Sequence, residues 1–183
     1  AGVGLFFCEG VGKKPGVALH KFGAEPQHIA FVRFRHMIWA IIKGEKKSGV
    51  TTFLIDKEID TGNILMQREC PIEEKETIGT LYDKLMEIGA ALVVETVQGL
   101  VEGKLTPRPQ EGRITGAPKL NKELGRIKWD MQDPEQPGIC CAQLIDRLVR
   151  GLSPYPAATA AMTDGQKTHE FKIFSCSVVK SAS

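Results

Sequence analysis

Asp60 stands first among the residues able to do chemistry. A strand-like run precedes it, and Thr61 and Gly62 follow it. A carboxylate at the end of a strand points into a crevice, which is where open α/β sheets place ligands. There it can orient an imidazole or accept a proton. A plainer reading has the carboxylate bonding only its own turn, as Asx turns do. Asp-Thr-Gly also occurs in aspartic proteases, but that chemistry needs two carboxylates sharing a proton. One such triplet is present, and the charged Asp56-Lys57-Glu58-Ile59 before it makes a poor buried strand. His20 is the second candidate, because imidazole titrates near neutrality and suits proton transfer or hydrogen bonding to an electrophile. His28, His36 and His169 show no evident partner and read as surface or satisfied core residues. No His/Cys/Asp/Glu spacing suggests a metal, and no Ser or Cys lies in a nucleophile motif.

The elements that must position these residues become legible from Met37 onward. Met37 to Ile42 reads as the end of a buried helix, followed by the polar loop Lys43 to Ser48. Gly49 to Ile55 is rich in β-branched and aromatic residues and reads as a strand. Asp60-Thr61-Gly62 then forms a tight turn, and Ile64 to Cys70 returns as a second strand closed by Pro71. Thr77 caps a helix whose Ile78, Leu81, Leu85, Ile88, Leu92, Val93 and Val97 recur at three- and four-residue steps. Gly89 interrupts that stripe and is a candidate bend, and Gly103 suits its C-terminal stop. Residues 104–122 hold Pro107, Pro109, Gly112, Gly116 and Pro118 without periodicity and read as a linker. A helix is expected from about Ala142 to Arg150, stopped by Gly151, with an extended turn at Pro154-Tyr155-Pro156. Phe171 to Val179 alternates as a strand does, so the tail resembles the start of a small, mostly β unit. Residues 1–36 carry many glycines and no sustained period. Gly2-Val3-Gly4 with Gly10 is no dinucleotide-binding loop.

Composition narrows the class further. Charged residues make up 25% and hydrophobic residues 42% of the 183-residue chain, as in an ordinary globular protein. The longest purely apolar run has six residues, Met37 to Ile42, far short of a membrane span. The chain opens at Ala1 with no pattern of a secretory signal. Five cysteines, with no pair at CxxC spacing, fit free thiols in a reducing cytoplasm. Charge is unevenly spread. Residues 57–102 carry four basic and ten acidic side chains, whereas residues 103–128 carry seven basic side chains against Glu111 and Glu123. A basic connector of this kind could lie along phosphates or could simply be solvated.

Gly49-Val50-Thr51-Thr52-Phe53, running on to Glu58-Ile59-Asp60-Thr61-Gly62, resembles the catalytic strand and loop of the folate-dependent formyltransferases. Thr80-Leu81-Tyr82-Asp83-Lys84-Leu85 is similar to the next helix in the methionyl-tRNA branch of that family. Ala117-Pro118-Lys119-Leu120, Arg126-Ile127-Lys128-Trp129 and Arg150-Gly151-Leu152-Ser153-Pro154-Tyr155-Pro156-Ala157 resemble that branch's linker and the entry to its C-terminal domain. The match runs from about Trp39 to Phe174. It implies an α/β protein: a partial Rossmann-like catalytic domain over residues 1–103, a basic linker over 104–122, and a partial OB-like domain over 123–183. It further implies transfer of a formyl group from 10-formyltetrahydrofolate, without a metal, to the methionyl amine of initiator tRNA. Asp60 and His20 would be catalytic, Thr61 and Gly62 would line the folate site, and the basic linker would face tRNA.

The resemblance breaks down before about Met37. The family carries Asn-x-His there, and Ala18-Leu19-His20 puts alanine where the asparagine belongs. Glu25-Pro26-Gln27 keeps a Pro-Gln remnant of the next loop, and the stretch from Met131 to Cys141 has no family counterpart. A truncated or frame-shifted N-terminal part is therefore expected, with the upstream half of the domain missing. The alternatives are a non-catalytic tRNA- or folate-binding module, or a formyltransferase acting on another amine.

Overall fold

A computed structural model describes residues 2–9, 34–55, 63–109 and 117–179. The chain runs β1 (Gly2–Glu9), α1 (Phe34–Lys43), β2 (Lys47–Ile55), β3 (Ile64–Pro71), α2 (Ile78–Val101), α3 (Cys141–Leu152), β4 (Ala158–Thr163) and β5 (Thr168–Ile173). This mixture of helix and strand agrees with the α/β expectation. The strands β1, β2 and β3 form one sheet in that order, with every neighbour antiparallel. The strand β1 falls in the stretch that has no readable period. Its backbone pairs with all of β2 but Lys47, from Gly2 against Ile55 to Glu9 against Ser48. The predicted strands at 49–55 and 64–70 are both present and antiparallel.

Thr77 begins α2 as expected. Its hydroxyl accepts from the Thr80 amide while the Thr80 hydroxyl accepts from the Thr77 amide, so two end donors are satisfied reciprocally. The helix runs unbroken through Gly89, which is buried, and ends beside Gly103 at φ +66. That conformation costs glycine little and other residues more. Ile78, Leu81, Leu85 and Leu92 on the buried face are fully enclosed. Trimming one such leucine to alanine typically costs about 2–5 kcal/mol.

The core does not stop at the linker. Met37, Ile38 and Ile41 of α1 share one cluster with Leu148, Val149 and Leu152 of α3 and with Ala158 and Ala160 of β4. Gly151 lies inside α3 and does not terminate it. A β-carbon there would come within 2.7 Å of Ile42 Cγ1 and 3.2 Å of the Ile38 carbonyl. The glycine lets α1 and α3 approach closely, which the sequence signal for a helix stop does not reveal. The last expected strand is also corrected. Pairing begins at Thr168 and ends at Ile173, and 174–179 add no further strand. The strand β4, which precedes it, has no clear sequence signal because Ala158–Thr163 has little hydrophobic contrast. Between α3 and β4, the peptides Ser153-Pro154 and Tyr155-Pro156 are both cis.

Candidate functional site

Asp60, Thr61, Gly62, His20, Ala18 and His28 lie outside the described residues. The frame that holds the Asp60 loop is described: β2 ends at Ile55 and β3 starts at Ile64. The register between these strands slips at this end. Thr52 faces Met66 while Phe53 faces Ile64, so Leu65 is an extra residue on β3. Such a bulge bends a strand and re-aims the residues next to it.

A threonine pair satisfies this bulge. The Met66 amide donates to Thr52 Oγ1 at 3.1 Å, and Thr52 Oγ1 meets Thr96 Oγ1 of α2 at 2.9 Å. Thr96 Oγ1 in turn donates to the Leu92 carbonyl at 2.6 Å. Thr52 Oγ1 also lies 3.4 Å from the Met66 carbonyl, so its one proton has two acceptors within reach, that carbonyl and Thr96 Oγ1. Both threonines are fully buried. The relay ties the strand ends that carry the loop to the longest helix of the fold.

The basic connector is fixed at the start of β3. The Ile64 amide donates to the Arg108 carbonyl at 2.7 Å and the Arg108 amide donates back to Ile64 at 2.8 Å. Arg108 thus occupies the edge of β3 opposite β2, level with the residue after Asn63, with its side chain exposed. Further along, Trp39 Nε1 donates to the Pro118 carbonyl at 3.0 Å. The Ile127 amide donates to Thr159 and the Thr159 amide to Gly125, joining the end of the basic run to β4. Three anchors therefore hold a segment whose Lys119, Lys122, Arg126 and Lys128 are exposed. The sequence shows the charge but not the anchors, because each ends on a backbone group at a distant position.

Other polar groups are structural. Glu76 is almost wholly enclosed at the start of α2, where its carboxylate accepts from Lys84 Nζ at 2.7 Å and from the Glu73 amide at 3.0 Å. The hydrogen bond to Glu76 raises the Lys84 ammonium above its ordinary range. Burial pushes the nearby Cys70 thiol up. Arg150 joins α3 to this corner, bonding Asp146 at 2.8 Å and the Glu76 carbonyl at 3.0 Å. His36 is buried on α1. His169 has a partner the sequence did not suggest, Asp164 Oδ2 at 3.4 Å, on an exposed hairpin. Among the described residues, no group of three His, Cys, Asp or Glu could hold a metal. An open concavity of about 530 Å³ is lined only by residues between Asp130 and Cys141, none of them cationic. It offers nothing to an anionic ligand.

Residues 31–97, a span that includes the Asp60 loop, match the family model described as formyl transferase. The chain belongs to this formyl transferase family. Its relatives include methionyl-tRNA formyltransferases. The enzyme of Thermodesulfovibrio yellowstonii is 43% identical over 126 residues, covering 69% of this chain and 38% of that one. The enzyme of Flavobacterium johnsoniae is 40% identical over 146 residues, covering 79% of this chain and 44% of that one. The chain thus spans less than half the length of these relatives. Among solved structures, HypX from Aquifex aeolicus in complex with tetrahydrofolic acid aligns with a TM-score of 0.54 at 26% identity. That alignment covers 69% of this chain and 21% of HypX.

Proposed function

We propose that this chain moves a formyl group from 10-formyltetrahydrofolate to the methionyl amine of initiator tRNA, in the cytoplasm. The observation that carries the proposal is the identity of 40–43% with methionyl-tRNA formyltransferases across more than two thirds of the chain. The donor is supported by the tetrahydrofolic acid in the HypX complex. In domain terms the reading takes residues 1–103 as a partial Rossmann-like catalytic part, 104–122 as the connector and 123–183 as a partial OB-like unit.

The chemistry rests on the residue types. The methionyl amine attacks the formyl carbon, forming a new C–N bond. The bond from that carbon to the folate nitrogen then breaks. Charge gathers on the formyl oxygen between the two events, and His20 donates to it. Asp60 orients that imidazole or relays protons through water, and the proton that the amine sheds ends on the departing folate nitrogen. Thr61 and Gly62 let the donor approach the loop. The exposed cations of the connector, Arg108 beside β3 among them, meet the tRNA phosphates.

Ala18 sets the expected rate. Removing one preorganised oxyanion donor costs roughly 3–4 kcal/mol, on the order of a thousandfold. The chain should therefore bind charged tRNA well and formylate it slowly. The test is a formylation assay on charged initiator tRNA with the native chain and Ala18→Asn. The proposal expects the substitution to raise kcat by about a hundredfold or more, with KM for tRNA little changed. Ala18 also favours the second reading, a binding module without turnover. Binding without transfer in both proteins would establish that reading and defeat the first.

A further inference from the structure

Lys43 is the last residue of α1, so its carbonyl is one of the end groups that no helical amide reaches. Two side chains from beyond the connector reach it instead. Gln136 Nε2 donates to it at 3.0 Å, and Arg147 Nη1 of α3 at 3.4 Å. Arg147 Nη1 also donates to Gln136 Oε1 at 3.0 Å. The Gln136 amide gives its other proton to Asp133 Oδ2 at 3.1 Å. Both polar atoms of that side chain are thus engaged. Only one orientation of the amide serves, since the reverse would set its protons against the guanidinium. Gly44, at φ +71, completes the fit, because a β-carbon there would overlap the Arg147 guanidinium.

Gln136 belongs to a loop closed on itself. Cys141 Sγ donates to the Trp129 carbonyl at 3.1 Å, joining the two ends of residues 129–141. Inside, the Asp133 carboxylate accepts from the Glu135 amide at 2.9 Å, and the Gln136 amide donates to the Asp133 carbonyl at 3.0 Å. A compact loop with adjoining ends and bonds of its own is an Ω-loop. Its grip on the helices is polar, and no residue from Trp129 to Cys141 is buried. By contrast, α1 and α3 share a buried cluster through Ile38, Ile41, Leu148 and Val149. Segments with few buried apolar contacts open at a lower free energy than the core does. The Lys43–Glu135 pair adds little, being 3.8 Å long with Glu135 mostly exposed. The hold therefore rests on Gln136 and Arg147.

We propose that residues 129–141 are a clasp with two positions. Closed, it caps the end of α1 through Gln136 and holds Arg147 there. Open, it frees the Lys43 carbonyl and presents the guanidinium to solvent, while α1 and α3 stay packed. The clasp is independent of the catalytic reading, and its test uses no activity.

Amide hydrogen exchange of the 183-residue chain, resolved by NMR, tests it. The Gly44 and Glu45 amides close the last turn of α1 on the Ile41 and Ala40 carbonyls, at 3.0 and 2.9 Å, and so report the clasp. The amides of Leu81, Leu85 and Leu92, on the enclosed face of α2, report global unfolding. Gln136→Ala, and Arg147→Met with its aliphatic stem kept, should each speed exchange at Gly44 and Glu45 by about tenfold. Exchange at the α2 amides should stay as in the native chain. The double variant should fall short of the product of the two effects, because the bond between the two side chains is lost only once. Unchanged exchange at Gly44 and Glu45 would overturn the proposal. So would an equal acceleration at the α2 amides, which marks global destabilisation, or single effects that multiply in full.

Discussion

Thr52 illustrates how one side chain can tie the end of a strand to a helix. Its hydroxyl takes the Met66 amide at the bulge and bonds the Thr96 hydroxyl. Valine has the same shape and no hydroxyl. Thr52→Val leaves the part-buried Met66 amide without this acceptor, and a loss of about 1–3 kcal/mol in urea unfolding is expected. Arg108 makes the contrasting case, since its backbone anchors the connector while its side chain is exposed. Arg108→Ala keeps the anchor and removes one cation. In filter binding across a salt series, log affinity for tRNA should lose about one unit of slope against log salt. At this scale the Asp60 reading rests on a local pattern, Asp-Thr-Gly after a β-branched run, and residue 60 itself lies outside the described residues. The threonine relay left no such pattern. Threonine in a strand signals β-propensity alone, and its partner lies 44 residues away.

Elements were legible where one local signal decided them. The Thr77 cap and Gly103 at φ +66 sit where the sequence put them. Gly151 misled because glycine serves both to end a helix and to admit a close neighbour, and only the position of Ile42 distinguishes the two. Gly151→Ala would improve helix propensity and still destabilise, by about 1–3 kcal/mol, because the methyl must displace Ile42. A thermal melt compared with wild type reads this directly. The corner between β3 and α2 carries a pH dependence. Cys70 and Lys84 both have folded pKa values raised above their unfolded ones, the first by burial and the second by Glu76. Stabilisation from each is complete below the unfolded pKa and fades as pH climbs through the folded one. Unfolded cysteine titrates near about 8.5 and lysine near about 10.4. The urea midpoint should therefore begin to fall above roughly pH 8.5 and fall further above roughly pH 10. Lys84→Gln should lose the second decline, and an unchanged profile in that variant would contradict the assignment.

Across the whole molecule, one apolar cluster runs from Met37 to Ala160, so the helix after the connector packs on the helix before it. The sequence suggested a chain divided at the connector. A linker rich in proline and glycine reads as a separator wherever its anchors are backbone contacts. The structure instead pins that linker to β3, α1 and β4. The consequence is positional: Arg108 is held against the start of β3. That arrangement has value only if the Asp60 loop carries chemistry. The decisive measurement is single-turnover formyl transfer to charged initiator tRNA by the native chain and by Asp60→Asn, with tRNA binding followed in parallel. The account predicts slow transfer by the native chain, and a fall of about a hundredfold or more in Asp60→Asn with tRNA affinity unchanged. Equal transfer rates in the two proteins would contradict it.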